Sequence, residues 1–147
     1  MKVSKKCQYA LRALFELAWR NNGQPVKTSS IARGQGMSLR FTEIILNELK
    51  HGGFVESKRG SEGGYLLARD AGDLTVEQVI EYVQGPISFV PDAKGASDGA
   101  LLGSEAFSRL WQEVEGAVSA VCGSRTFADL VELERARRER SVPNYCI

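Results

Sequence analysis

The chain has 147 residues, 43% of them apolar, and a formal net charge of +1. That is room for one domain with a core, or one domain plus an oligomerisation arm. No apolar run approaches the roughly 18 residues of a membrane span, the N-terminal Met-Lys-Val-Ser-Lys-Lys has no apolar core behind it, and three widely spaced cysteines, Cys7, Cys122 and Cys146, make no disulfide framework. A cytoplasmic protein, neither secreted nor membrane-bound, is expected.

The small net charge hides a division. Residues 1–69 carry 12 Lys+Arg against 5 Asp+Glu, a balance of +7, whereas residues 70–147 carry 7 against 13, a balance of −6. A basic half followed by an acidic half suggests that only the first faces a polyanion.

In chain order, residues 2–20 predict a first helix with a broad apolar face (Tyr9, Leu11, Leu14, Phe15, Leu17, Ala18) and a basic start at Lys5, Lys6 and Arg12. Positive charge at a helix N-terminus opposes the macrodipole, a cost that a nearby phosphate would offset. The turn Asn21 to Pro25 leads to a short helix, residues 26–33, and Gly34-Gln35-Gly36 makes the sharp turn into a longer one. Gly34-x-Gly36 follows no strand and lacks a third glycine, so it does not signal a dinucleotide loop.

The longer helix runs over residues 38–50. Ser38 suits its N-cap, and Gly52-Gly53 suits its end. Phe41, Ile44, Ile45 and Leu49 read as its inward stripe, with Arg40, Thr42, Glu43 and Asn47 outward. Two strands follow, residues 54–58 and 65–69, joined by the glycine-tipped turn Arg59-Gly60-Ser61-Glu62-Gly63-Gly64. Short helix, glycine turn, long helix and a basic hairpin together predict a winged helix-turn-helix. The long helix would enter a major groove, and the wing a minor groove or the backbone.

Thr75 suits the cap of another helix, residues 76–84, with Val76, Val79, Ile80 and Val83 inward and Gly85-Pro86 as its stop. Residues 87–103 read as a loop, and Ser104 as the cap of a long helix reaching Cys122. Its stripe includes Phe107, Leu110, Trp111, Val114, Val118 and Val121, which suits the seam of a homodimer with two reading heads on a palindrome. A last helix from Thr126 carries Phe127, Leu130, Val131 and Leu133 and a charged end. The expected plan is mainly α (α+β): a winged helix-turn-helix domain over 1–86, a flexible loop over 87–103, dimerisation helices over 104–140 and a tail over 141–147.

These residues resemble the Rrf2 family of bacterial winged-helix repressors. The likeness rests on Lys2 to Lys6, Tyr9-Ala10-Leu11, Ile31-Ala32, residues 38–49, the wing Val55-Glu56-Ser57-Lys58-Arg59-Gly60-x-x-Gly63-Gly64-Tyr65, Thr75-Val76 and Gly85-Pro86. It implies a transcription regulator acting on double-stranded DNA. Glu43 and its neighbours Phe41 and Asn47 would read bases, and Arg59, flanked by Lys58 and Gly60, would enter a minor groove. A glutamate can accept from the cytosine amino group, and a narrow, negative groove attracts an arginine. Lys5, Tyr9, Ser38, Arg40 and Thr42 are the expected phosphate contacts.

Many members of that family hold an iron–sulfur cluster through three cysteines in the loop after Gly-Pro. Here residues 87–103 contain neither cysteine nor histidine, and His51 stands elsewhere, so no metal ligand set and no cofactor is expected. The likeness is then to the cluster-free branch, repressors of cysteine metabolism that work with cysteine synthase. It implies that the tail Tyr145-Cys146-Ile147 docks that enzyme by terminal-carboxylate capture. The competing readings are a protein-interaction adaptor without DNA and an iron–sulfur or redox-sensing regulator of the same family. No nucleophile elbow, Walker loop or histidine pair points to an enzyme.

Overall fold

The computed structural model describes residues 1–89 and 101–142. The expected tail residues Tyr145, Cys146 and Ile147, and most of the loop, lie outside the described residues.

Helix α1 (Lys5–Trp19) starts later than the apolar pattern suggests, because the Ser4 hydroxyl accepts from the Cys7 amide at 3.1 Å and fixes the N-terminus there. Cys7, Ala10, Ala13, Leu14 and Leu17 are buried along it, making it the central helix of the core. Helix α2 (Thr28–Gln35) places Ile31 and Ala32 against that core. Helix α3 (Leu39–His51) follows Ser38, whose hydroxyl accepts from the Phe41 amide at 3.2 Å.

Strands β1 (Val55–Lys58) and β2 (Gly64–Leu67) pair antiparallel, Val55 opposite Leu67 and Lys58 opposite Gly64. The wing also has an anchor that no sequence pattern announced. Val26 donates to the Tyr65 carbonyl at 2.9 Å and accepts from the Tyr65 amide at 2.8 Å. A one-residue third strand thus ties the hairpin to the entrance of α2.

A 3-10 turn (Ala71–Asp73) leads to α4 (Val76–Gln84), closed by a reciprocal capping box between Thr75 and Gln78. Val79 and Ile80 are buried, whereas Val76 and Val83 are only partly so. Helix α5 (Ser104–Ser124) is capped by Gly103 and not by the Ser104 side chain, which makes no cap hydrogen bond. It lies along α4, where Ser119 donates to Glu77. None of its residues is buried.

Helix α6 (Phe127–Ser141) turns back onto the head. The Val76 amide donates to Arg125 O at 3.0 Å and the Phe127 amide to Leu74 O at 3.0 Å. Phe127 is fully buried in the cluster that holds Leu14, Leu46 and Leu49. The sequence expectation grouped this helix with the dimerisation segment; in the structure its first two turns complete the core of the head.

Candidate nucleic-acid interface

The buried face of α3 is rotated from the expected apolar stripe. The buried residues are Thr42, Ile45, Leu46 and Leu49, while Phe41 and Ile44 are 54% and 51% exposed. Thr42, expected to reach outward to a phosphate, is fully buried and cannot do so. Its hydroxyl donates to the Ser38 carbonyl at 2.8 Å, and that bond removes the penalty for burying it.

The outward face of α3 carries Arg40, Glu43, Ile44, Asn47 and His51. Among the described residues no ion pair includes Arg40, Glu43 or Arg59. The His51 ring Nδ1 lies 2.7 Å from the Asn47 carbonyl oxygen, so the histidine caps the helix end. Behind this face Glu48 pairs with Lys6 of α1 at 2.8 Å and accepts, through its carbonyl, from the Tyr82 hydroxyl at 2.9 Å. These two contacts hold α3 against α1 and α4.

Lys5, Tyr9 and Phe41 converge near the N-terminus of α3. The Tyr9 and Phe41 rings meet edge to face at 6.0 Å, and the Lys5 ammonium stands 5.8 Å from the Tyr9 ring centre. Ser38 and Arg40, both exposed, lie at the same end. That end offers a cation, a phenol and the positive pole of a helix to an anion.

At the wing tip, Gly60 has φ of +113°, a conformation that a side chain resists, and its carbonyl accepts from Gly63 at 3.0 Å. A Cβ on Gly63 would lie 2.3 Å from the Lys58 carbonyl oxygen, so the turn closes only around glycine there. The tight turn leaves Arg59 exposed at the apex. Lys58, also exposed, meets Glu56 only at 3.9 Å, a weak surface pair.

On α5, Phe107, Leu110 and Val121 are 60%, 45% and 61% exposed, and Trp111, Val114 and Val118 are half-buried. The expected seam residues therefore form an open apolar strip. Cys7 is sealed in the core, and burial raises its thiol pKa. Burial raises that of Cys122 as well, helped by the nearby Glu77 charge.

The family model described as "Iron-dependent Transcriptional regulator", Rrf2, matches residues 3–133. An HTH-type transcriptional regulator of Mycobacterium tuberculosis is 34% identical over 131 residues, spanning 88% of this chain and 81% of that one. The HTH-type transcriptional regulator IscR of Citrobacter koseri is 31% identical over 133 residues, 89% and 80% of the two chains. Among solved structures, CymR, the global cysteine regulator of B. subtilis, superimposes with a TM-score of 0.79 at 31% identity, covering 90% of this chain and 98% of that one. IscR of T. potens gives 0.75 at 31% identity, with 99% and 95% covered.

Among the described residues no three His, Cys, Asp or Glu side chains group as ligands. Likewise, no helix among the described residues is long and apolar enough to cross a membrane. With the matched residues running through α3, the wing and α5 and into α6, the chain belongs to the Rrf2 family of winged-helix transcriptional regulators.

Proposed function

We propose that this protein is a homodimeric repressor that reads a palindromic duplex, with α3 in the major groove and the Arg59 wing in the minor groove. The observation that carries the reading is the outward face of α3. Arg40, Glu43 and Asn47 stand exposed there, beside a wing whose tip presents Arg59. Glu43 supplies an acceptor for a cytosine amino group, and Arg59 a cation for a narrow groove. Lys5, Tyr9, Ser38 and Arg40 set register on phosphates, and Lys58 and Gly60 support the wing. The open strip of Phe107, Leu110, Trp111, Val114, Val118 and Val121 joins two copies. In this reading residues 1–86 with α6 are the head, and α5 is the arm.

We assign the regulated genes to cysteine and sulfur metabolism. The likeness to CymR supports this, as does the absence of cysteine and histidine from residues 87–103. The test is selection of bound duplexes from a random pool, followed by mapping of the enriched site on the genome of origin. An inverted repeat upstream of sulfur genes is the expected result. Failure to enrich any duplex would overturn the DNA-binding reading, and sites elsewhere would overturn the sulfur assignment alone.

A further inference from the structure

The ridge of α3 that points most directly away from the core is Arg40, Ile44, Asn47 and His51, spaced at i, i+4, i+7 and i+11. Three of these are polar. The fourth is a branched aliphatic chain, 51% exposed and outside the core cluster. Two other large apolar side chains near this end, Leu39 and Phe41, are also open. Phe41 has a partner in the Tyr9 ring and leans toward α1. Ile44 sits between Arg40 and Asn47, with Glu43 beside it, in the middle of the surface assigned to base reading.

We propose that Ile44 packs on the 5-methyl group of a thymine and so specifies that base at one position in each half-site. The inference rests on the DNA-reading role proposed above. In the major groove the thymine methyl is the one apolar group that a base pair presents, while cytosine offers an amino donor. Isoleucine neither donates nor accepts, so a cytosine amino group pressed against it would lose water and gain no partner. Branching at Cβ holds the side chain near one rotamer in a helix, which makes the contact directional. Hydrogen-bonding readers at Glu43 and Asn47, with Arg40 on the backbone, thus surround an apolar reader that favours thymine over cytosine.

The experiment uses the full chain and the duplex enriched from a random pool. Each thymine is replaced in turn by deoxyuridine, which removes only the methyl group. Affinity is measured for the wild type and for Ile44→Ala, whose fold is checked by matching thermal melts. At one thymine per half-site, loss of the methyl should weaken the wild type about fourfold, the scale of burying one methyl-sized group. Ile44→Ala should not respond to that replacement. If the duplex binds but every replacement affects both proteins equally, the inference is overturned and the DNA-reading role stands. If no duplex is enriched, both fall.

Discussion

Tyr9 of α1 meets Phe41 of α3 edge to face, ring centres 6.0 Å apart and planes at 77°. The contact lies in the first turn of α3, so it couples the orientation of that helix to the central helix of the core. A double-mutant cycle with Tyr9→Ala and Phe41→Ala should give a coupling of about 0.5–1.5 kcal/mol in urea unfolding. Additive losses would mean that the rings touch without supporting each other.

Arg59 stands exposed at the wing tip. Arg59→Ala should weaken duplex binding and lower the slope of log affinity against log salt by about 1, since one fewer counterion is released. Arg137→Ala is the control, because that guanidinium is already held by Glu134 at 2.8 Å. It should leave the salt slope unchanged.

The core and the apolar strip should separate by mutation. Phe127 is fully buried, and Phe127→Ala should cost about 3–5 kcal/mol of stability by denaturant unfolding. Leu133 on the same helix is 56% exposed, and Leu133→Ala should stay within about 0.5 kcal/mol. Phe107→Ala on α5 should leave the unfolding of the head little changed but raise the dimer dissociation constant, measured by sedimentation.

Glu134 offers a pH test. Hydrogen bonds from Arg137 and then Arg138 hold its carboxyl pKa down at about 2, from an ordinary 4.5. A depressed carboxylate pKa means that the unfolded chain takes up the proton first. The stabilisation is therefore complete above pH 4.5 and lost as pH falls toward 2. Glu134→Gln should be less stable than the wild type at pH 6, and the gap should close by about pH 2. Added salt should narrow it at pH 6, because the groups face solvent.

Local chemistry explains which parts of this fold are readable in the sequence. Ser38 and Gly52-Gly53 bracket α3 through hydrogen-bonding and backbone preferences that act within a few residues. The wing is legible for the same reason, through its glycine turn. The phase of α3 is not, because polarity does not follow burial along it. Thr42 goes inside by bonding the Ser38 carbonyl, while Ile44 stays outside. The Val26–Tyr65 bridge is a single residue pair and leaves no period. Phe127 and Val131 are the only buried residues of α6. Two positions on a highly charged helix do not reveal that it returns to the core.

If Glu43 on the open face of α3 reads a base, its removal must change the preferred site. The direct measurement is duplex selection from one random pool by the wild type and by Glu43→Ala in parallel. The wild type should enrich an inverted repeat, and the variant should lose preference at one symmetric pair of positions while keeping most of the affinity. Identical enriched sites from the two proteins would contradict the base-reading role.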